Sequence, residues 1–327
     1  MKLLVAGLII LGLWPSVCLA QDGGNPGSQL GVAHRYGWLE VKDGQLCSET
    51  GEPVQLRGMS SHDLRKFPFA ATTVSNLADG WGASVVRAAM YVDVPRFAPY
   101  MFATNAVKSI VEQALKADIY VIIDWHMLAE GDPRRRQIEA RDWLGEMARE
   151  YGSRPNVLFE ICNEPNGPGI KWSGIRSYAD FVIPAIRSNA PRNIIIVGTD
   201  SWSQGVRSAA AAPLSYSNVV YALHFYSGTH HQSLRDDANY ALKLKLPIFV
   251  SEWGLTDYTG QGLLFPGEAQ KWLNWMDQRK ISWVNWSFST CAEGSAALKS
   301  YAKMGGPWPD AEVSASGIWV KAHMLRH

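Results

Sequence analysis

The sequence has few cysteines, no excess charge of either sign and, after its first twenty residues, no long apolar run. Its four cysteines stand far apart, at positions 18, 47, 162 and 291, so they match neither a disulfide framework nor a zinc motif. The 31 basic and 30 acidic side chains nearly cancel, which favours neither nucleic acid nor a membrane as a partner. We therefore expect an uncharged polymer as the partner, with no metal and no cofactor.

The first twenty residues are typical of an export signal. Lys2 precedes an apolar stretch at residues 3–13, and small residues end the segment. We predict a secreted, monomeric protein, extracellular or periplasmic. Its parts are a signal peptide at 1–20, a flexible leader at 21–33 and a single large domain at 34–327.

The rest of the sequence alternates short apolar strands with longer segments of helical spacing. A hairpin with an Asp43-Gly44 turn comes first. Eight strands follow, which we predict near residues 54–58, 84–88, 119–124, 156–163, 193–197, 219–225, 247–252 and 281–288. Strands that are apolar throughout favour a parallel sheet covered on both faces, and eight such units predict a (β/α)₈ TIM barrel. An open doubly wound sheet is the alternative, but it usually has fewer strands and a glycine-rich first turn, which is absent.

Polar side chains stand where these apolar strands end. In a barrel of this kind the chemistry lies at the carboxyl ends of the strands, so we expect these side chains to converge on one rim. They are His62, Arg87, His126, Asn163, Glu164, His224, Tyr226, Glu252 and Trp286.

Glu164 and Glu252 follow the fourth and seventh predicted strands, on opposite sides of the barrel mouth. An unpaired carboxylate is costly to desolvate, so a buried strand has no structural use for one at its end. Two facing carboxylates are what glycoside hydrolysis needs. A gap of about 5–5.5 Å would give retention of configuration and a wider gap inversion, and the sequence leaves both open.

The neighbours of the two acids indicate their roles. Arg87 and Tyr226 are predicted to lower the pKa of Glu252 and keep it ionised as the nucleophile. Glu164, beside neutral residues, suits the proton donor. The amide of Asn163 is placed to bind the 2-hydroxyl of the sugar.

The histidines have both functional and structural interpretations. His126 and His224 are expected to bind sugar or orient a carboxylate, with satisfied rim residues as the alternative. A metal site built from His62, His126 and His224 is disfavoured, because its ligands would come from three distant strands. His230 and His231 are expected to lie in a solvated loop.

Several motifs together resemble glycoside hydrolase family 5, and in particular its bacterial-type endo-β-1,4-glucanases. The matching runs are VVRAAMY at 85–91, VIIDWH at 121–126, FEICNEPNG at 159–167, ALHFYSGTH at 222–230, FVSEWG at 249–254 and NWSFS at 285–289. They occur in the family's order and spacing from about residue 36 onward. The resemblance implies a retaining mechanism, with Glu164 as acid and base and Glu252 as nucleophile.

The resemblance also implies the rest of the site. Arg87, His126, Asn163, His224, Tyr226 and Trp286 would complete it, and His62, Tyr91, Trp202 and Glu293 would line the glucose-binding cleft. Two stretches depart from the family pattern. Cys291 stands where a lysine usually precedes the acid Glu293, and Lys66 and Phe67 stand where a stacking tryptophan is usual.

We therefore expect a cellulase whose partner is a β-glucan, either cellulose or soluble cello-oligosaccharides. An endo-β-mannanase or a mixed-linkage β-glucanase on the same scaffold is the alternative among enzymes. A polysaccharide-binding protein without turnover is the alternative of another class, although such a protein has no need of two opposed acids. An esterase is disfavoured because no Gly-x-Ser-x-Gly motif is present.

Overall fold

Eight parallel strands pair in chain order and close into a barrel, which confirms the predicted (β/α)₈ fold. The computed structural model describes residues 31–92, 98–129 and 131–326, so the predicted signal peptide lies outside the described residues. The barrel strands are β3 (Arg57–Ser61), β4 (Val85–Tyr91), β5 (Tyr120–His126), β6 (Val157–Glu160), β7 (Ile195–Val197), β8 (Val219–Tyr226), β9 (Ile248–Gly254) and β10 (Trp283–Phe288). Closure follows from the pairing of β10 with both β9 and β3.

Helices follow every barrel strand and cover the outside of the sheet. They are α2 (Thr73–Trp81), α3 (Ala98–Lys116), α4 (Gln137–Tyr151) after a 3₁₀ turn at Pro133–Arg136, α5 (Trp172–Arg187), α6 (Asp200–Ser203), α7 (Val206–Ala211), α8 (Gln232–Lys243), α9 (Pro266–Gln278) and α10 (Ala315–Met324). In α5, Ile175, Ala179, Val182 and Ile186 are buried at helical spacing and pack against the strands. Within the described ranges, no helix combines the length and apolar character needed to cross a bilayer.

The predicted hairpin closes the amino-terminal end of the barrel. Strands β1 (Glu40–Lys42) and β2 (Gln45–Cys47) are antiparallel. Asp43 and Gly44 both have positive φ, 52° and 80°, as a tight hairpin turn of this kind requires. Leu46 of the hairpin packs in one cluster with apolar residues of the barrel interior.

Several predicted boundaries differ from those in the structure by up to three residues. The leader was predicted to reach residue 33, but helix α1 (Val32–Tyr36) already begins at Val32. It begins there because Ala33 is buried and its backbone N–H donates to the Asp118 carbonyl. The first barrel strand begins at Arg57 rather than near residue 54, because the Val54 N–H instead donates to Leu46 of the hairpin.

Inside the barrel, alternate residues of each strand form two layers of different chemistry. Near the amino-terminal end, the inward side chains are apolar and make one cluster; they include Val85, Tyr120, Ile122, Leu158, Ile196, Val220, Ala222, Phe249 and Val284. Two residues further along β4, β5, β6 and β8, the inward positions hold Arg87, Asp124, Glu160 and His224, all buried. Both sets of side chains point into the barrel because the side-chain period of a strand is two residues. We call the apolar set the lower layer and the charged set the upper layer. The upper layer forms the floor of the site.

Candidate active site

Arg87 is the centre of the buried charged layer. Its guanidinium donates from Nε to Glu160 Oε2 at 2.6 Å, from Nη1 to Glu252 Oε2 at 3.1 Å and from Nη2 to Asn163 Oδ1 at 2.6 Å. Nη2 also lies 2.9 Å from Asp124 Oδ2. Buried charges are tolerated only when they are paired in this way, so the arginine holds four side chains, from β5, β6, β9 and the loop after β6, in fixed positions.

Glu252 reaches the cleft because β9 carries a bulge. Ala222 of β8 pairs with Phe249, but His224 pairs with Glu252, so β9 has one extra residue there. A bulge re-aims side chains. As a result both Ser251 and Glu252 make contacts inside the barrel mouth, Ser251 with His224 and Glu252 with Arg87.

Tyr226 is the second hydrogen-bond donor to Glu252. Its hydroxyl donates to Glu252 Oε1 at 2.9 Å. The ring lies against Gly254, where an added Cβ would stand 2.5 Å from two ring carbons. Gly254 therefore leaves room for the ring of Tyr226, whose hydroxyl binds Glu252.

The pKa of Glu252 differs from the prediction. Burial raises it above the ordinary value, and the neighbouring Glu164 adds to the shift. Arg87 and Tyr226 do lower the pKa, but they do not outweigh burial. Their contribution is to oppose protonation of a carboxylate that has been taken out of water.

Glu164 is held from the opposite side by His224. Ring nitrogen Nδ1 of the histidine lies 3.0 Å from Glu164 Oε1. Burial alone would lower the pKa of His224, but the nearby carboxylates of Glu160, 3.8 Å from Nε2, and Glu164 raise it to about 9. The two carboxylates therefore favour the charged form of His224 beside Glu164.

The two carboxyl groups face each other across a short gap. One oxygen of Glu164, one oxygen of Glu252 and one ring nitrogen of His224 all lie within 4.8 Å of one another. Carboxyls about 5–5.5 Å apart act by double displacement, whereas about 6.5–9.5 Å leaves room for an attacking water between acid and base. The spacing here is that of the first kind.

A cavity of about 500 Å³ opens above these groups. Seven of the residues singled out in the sequence line it: His126, Glu164, Trp202, His224, Tyr226, Glu252 and Trp286. Arg87 and Asn163 are fully buried behind it. Because an arginine can only donate, its contact fixes the Asn163 amide with Oδ1 toward Arg87, and Nδ2 donates one hydrogen to the Met127 carbonyl. One amide hydrogen of Asn163 remains.

Stacked rings form one wall of the site. His126 lies parallel to Trp286 with ring centroids 5.2 Å apart, and Tyr91 stacks on His126 at 4.4 Å. His62 contacts Tyr91 and Trp286 at 5.7 and 5.1 Å. Phe67, which stands where the family usually has a stacking tryptophan, also belongs to this wall through an edge-on contact with His62 at 5.4 Å. Lys66, the other residue at that place, is exposed.

Trp202 also lines the cavity, from the short segment α6, whose last three residues form a strained turn rather than a right-handed helix. Ser201, Trp202 and Ser203 all have φ near +57°, a left-handed conformation that costs each residue about 1–2 kcal/mol. Two hydrogen bonds hold the turn: the Trp202 N–H donates to the Pro165 carbonyl, and Ser203 Oγ donates to the Asn163 carbonyl. The indole is half exposed as a result.

Glu293 lies beside His62 and Cys291 rather than in the main cavity. Ligand atoms of these three residues lie within 4.8 Å of one another. The group is poorly suited to a metal ion, because the Asp63 N–H donates to His62 Nδ1 and so leaves the ring proton on Nε2. Within the described residues, His62 groups with Cys291 and Glu293, whereas His224 groups with Glu164 and Glu252. His62, His126 and His224 therefore do not form a common group of metal ligands there. Cys47, Cys162 and Cys291 are free thiols.

Sequence reasoning missed several residues of the site. His230, expected in a solvated loop, lines the cavity and accepts a hydrogen bond from the Tyr226 N–H at Nδ1, whereas His231 is exposed. Leu128, Gln204, Thr229 and Tyr258 also line the cavity from loops, where no pattern marks them. Asp124, Glu160 and Ser251 lie beneath the site, inside runs that the sequence presents as apolar strand.

An eight-stranded barrel with two opposed carboxylates at this spacing, on the carboxyl ends of its fourth and seventh strands, is the arrangement of a glycoside hydrolase. Residues 47–291 match the family model described as cellulase (glycosyl hydrolase family 5). The chain belongs to glycosyl hydrolase family 5.

Relatives and solved structures agree with this assignment. An endoglucanase of Clostridium saccharobutylicum is 46% identical over 289 residues, which are 87% of this chain and 64% of the relative. Endoglucanase A of Evansella cellulosilytica is 48% identical over 274 residues, 83% of this chain and 56% of the relative. The X-ray structure of the Thermobifida fusca endoglucanase Cel5A catalytic domain with cellotetraose has a TM-score of 0.85 at 37% identity, covering 90% of this chain and 99% of that chain. The chain thus spans less than two thirds of the length of these two curated relatives.

Proposed function

We propose that this protein is an endo-β-1,4-glucanase that hydrolyses internal β-1,4-glucosidic bonds of cellulose or soluble cello-oligosaccharides with retention of configuration. One observation carries the proposal furthest: an oxygen of Glu164 and an oxygen of Glu252 lie within 4.8 Å of each other, above the buried residues Arg87 and His224 that contact them. The endoglucanase relatives and the cellotetraose bound to the Thermobifida fusca domain support a β-1,4-glucan as the substrate.

In the first step Glu164 gives its proton to the glycosidic oxygen as a Glu252 oxygen attacks the anomeric carbon. The bond to the leaving sugar breaks, and a glycosyl ester with Glu252 forms. Arg87 and Tyr226 each donate to a different Glu252 oxygen, which supports attack by a carboxylate already held in place.

In the second step Glu164 acts as the base. It takes a proton from a water whose oxygen attacks the anomeric carbon, and the ester bond to Glu252 breaks. Two successive inversions restore the starting configuration. The remaining Asn163 amide hydrogen is assigned to the 2-hydroxyl of the sugar, and Trp202 and Trp286 are assigned to sugar faces.

The experiment compares release of reducing sugar with loss of viscosity on carboxymethylcellulose, glucomannan and barley β-glucan. We expect carboxymethylcellulose to lose viscosity early, as internal cleavage requires, and cello-oligosaccharides to be the soluble products. Strong release from mannan with none from the cellulose derivative would reject the cellulase in favour of a mannanase. Saturable binding of all three polymers without release would reject an enzyme altogether.

We also propose that the protein is exported through removal of residues 1–20, on the composition of that segment. Sequencing the amino terminus of protein recovered from the medium or periplasm tests this. A mature chain that begins at Gln21 is expected, and a chain that retains Met1 in the cytoplasm would contradict it.

A further inference from the structure

A second groove continues from the cleft, between helices α7 and α8. Gln204, Thr229 and His230 line both the main cavity and this groove, so the two are joined there. The groove has a volume of about 610 Å³, comparable to the main cavity. Its walls carry polar side chains of both helices: Arg207 and Ser208 from α7, and Ser233 and Asp237 from α8. The steps assigned to hydrolysis use none of these four residues.

The groove begins on the side of the cleft where the leaving sugar must lie. Glu164 gives its proton to the oxygen of that sugar. The segment that carries Gln204 is attached to the loop of Glu164, because the Trp202 N–H donates to the Pro165 carbonyl at 3.0 Å. A chain whose leaving sugar lies beside Glu164 and stacks on Trp202 therefore extends toward the groove.

The polar groups of the groove suit an uncharged sugar. The side-chain amide of Gln204 and the hydroxyl of Ser233 make no hydrogen bond to another described residue, so both are available to sugar hydroxyls, which donate and accept. Arg207 donates from Nε to Asp237 Oδ1 at 2.7 Å, and its guanidinium lies 3.9 Å from the centre of the Tyr240 ring. The ion pair thus offers directional donors and acceptors without a net charge, and Arg207 is held from two sides.

We propose that this groove binds the leaving part of a glucan chain beyond Trp202, with Gln204, Ser233 and Arg207 contacting sugar hydroxyls. Ser233 and Arg207 line the groove but not the cavity that holds Glu164 and Glu252. They are therefore expected to set the preference for chain length and to leave bond cleavage itself unchanged. The proposal rests on the proposed function, since it requires a β-1,4-glucan as the substrate.

Ser233→Trp tests the groove by filling it. Ser233 is exposed on α8, so an indole there occupies the groove without disturbing the core. The wild type should hydrolyse cellohexaose with a kcat/KM on the order of tenfold above that for cellotetraose, the equivalent of about one or two hydrogen bonds, and the variant should lose this preference. For 2,4-dinitrophenyl β-cellobioside, whose leaving group is too short to reach the groove, kcat/KM should stay within about twofold of the wild type. A wild type without the preference for cellohexaose would overturn the proposal.

Ala322→Trp is the matched control. Ala322 is likewise a small exposed residue of a helix, and it lines neither cavity, so this variant should keep the wild-type preference. Arg207→Ala removes donors instead of filling the groove, and it should lower kcat/KM for cellohexaose while leaving the aryl cellobioside unchanged. If Ser233→Trp impairs both substrates equally, Arg207→Ala decides, and an unchanged preference in that variant overturns the proposal.

The position of cleavage tests which part of the chain occupies the groove. Cellohexaose labelled with ¹⁸O at its reducing end releases the leaving sugars as labelled products, whose length mass spectrometry gives. We expect labelled cellotriose and larger fragments from the wild type, and a shift to labelled cellobiose in Ser233→Trp. An unchanged pattern, or a shift to larger labelled fragments, would overturn the proposal. Failure of the wild-type protein to cleave both cellohexaose and the aryl cellobioside would instead reject the proposed function.

Discussion

The lower and upper halves of the barrel interior are built from the same strands and have different roles. In β6, Leu158 packs among apolar side chains, whereas Glu160, two residues later, binds Arg87 and Ser251. In β5, Ile122 and Asp124 show the same change. The lower layer removes apolar surface from water and stabilises the fold, and the upper layer retains costly charges because they hold the carboxylates of the cleft. On these strands, the residues that stabilise the fold and those that serve the chemistry are thus only two positions apart.

The sharpest way to break the upper layer is Glu252→Gln. The amide removes the nucleophile but keeps the shape, so kcat on carboxymethylcellulose should fall on the order of 10⁴-fold or more. Glu268→Gln is the control, because Glu268 is also ion-paired, to Arg235, but outside the cleft. Hydrolysis by Glu252→Gln at the wild-type rate would remove Glu252 from the mechanism.

Leu158→Ala tests the lower layer. The cavity left in a fully packed interior should reduce the free energy of unfolding by about 2–5 kcal/mol, as measured by urea denaturation. The folded fraction should keep its kcat, since Leu158 belongs to the apolar cluster of the lower layer. A stable variant with greatly reduced kcat would show that the two layers are not separable.

Trp202 lies above both layers, and its replacement should affect binding rather than chemistry. Trp202→Ala should raise KM for cello-oligosaccharides by up to about tenfold, because stacking contributes about 0.5–1.5 kcal/mol, with little change in kcat. Phe102→Ala, at an equally exposed aromatic on α3, should change neither constant. A fall in kcat alone in Trp202→Ala would place the indole in the chemical step.

Tyr226→Phe should give the smallest effect and the most specific one. The hydroxyl stabilises ionised Glu252, so its loss should raise the pKa of Glu252 further above the ordinary value. Since the ionised form reacts, the acid limb of kcat/KM should move to higher pH, by about one unit for a hydrogen bond to a charged group. If the acid limb stays in place or moves to lower pH, it does not report the ionisation of Glu252.

The contrast between the layers also explains what could be predicted. The lower layer and the helices follow from apolar runs and helical spacing, so the barrel could be predicted from the sequence. Residues at strand ends, such as Glu164 and His224, were visible because polar side chains interrupt the pattern there.

The residues that were missed lie where that signal is weak. Glu160 stands inside the run VLFEIC, and the cost of an unpaired buried charge, applied to Glu164 and Glu252, would have marked it too. The bulge in β9, which turns Ser251 as well as Glu252 inward, depends on pairing with β8 and leaves no local pattern. The loop residues Gln204 and Tyr258 line the cleft only because the barrel brings distant loops together.

The most direct test of the central claim is the configuration of the first product. Proton NMR of cellotetraose during early hydrolysis distinguishes the two anomers before they interconvert. Carboxylate oxygens of Glu164 and Glu252 within 4.8 Å of each other predict that the β-anomer appears first, through a glycosyl ester on Glu252. First appearance of the α-anomer would mean that water attacks directly, and would contradict the roles assigned to Glu164 and Glu252.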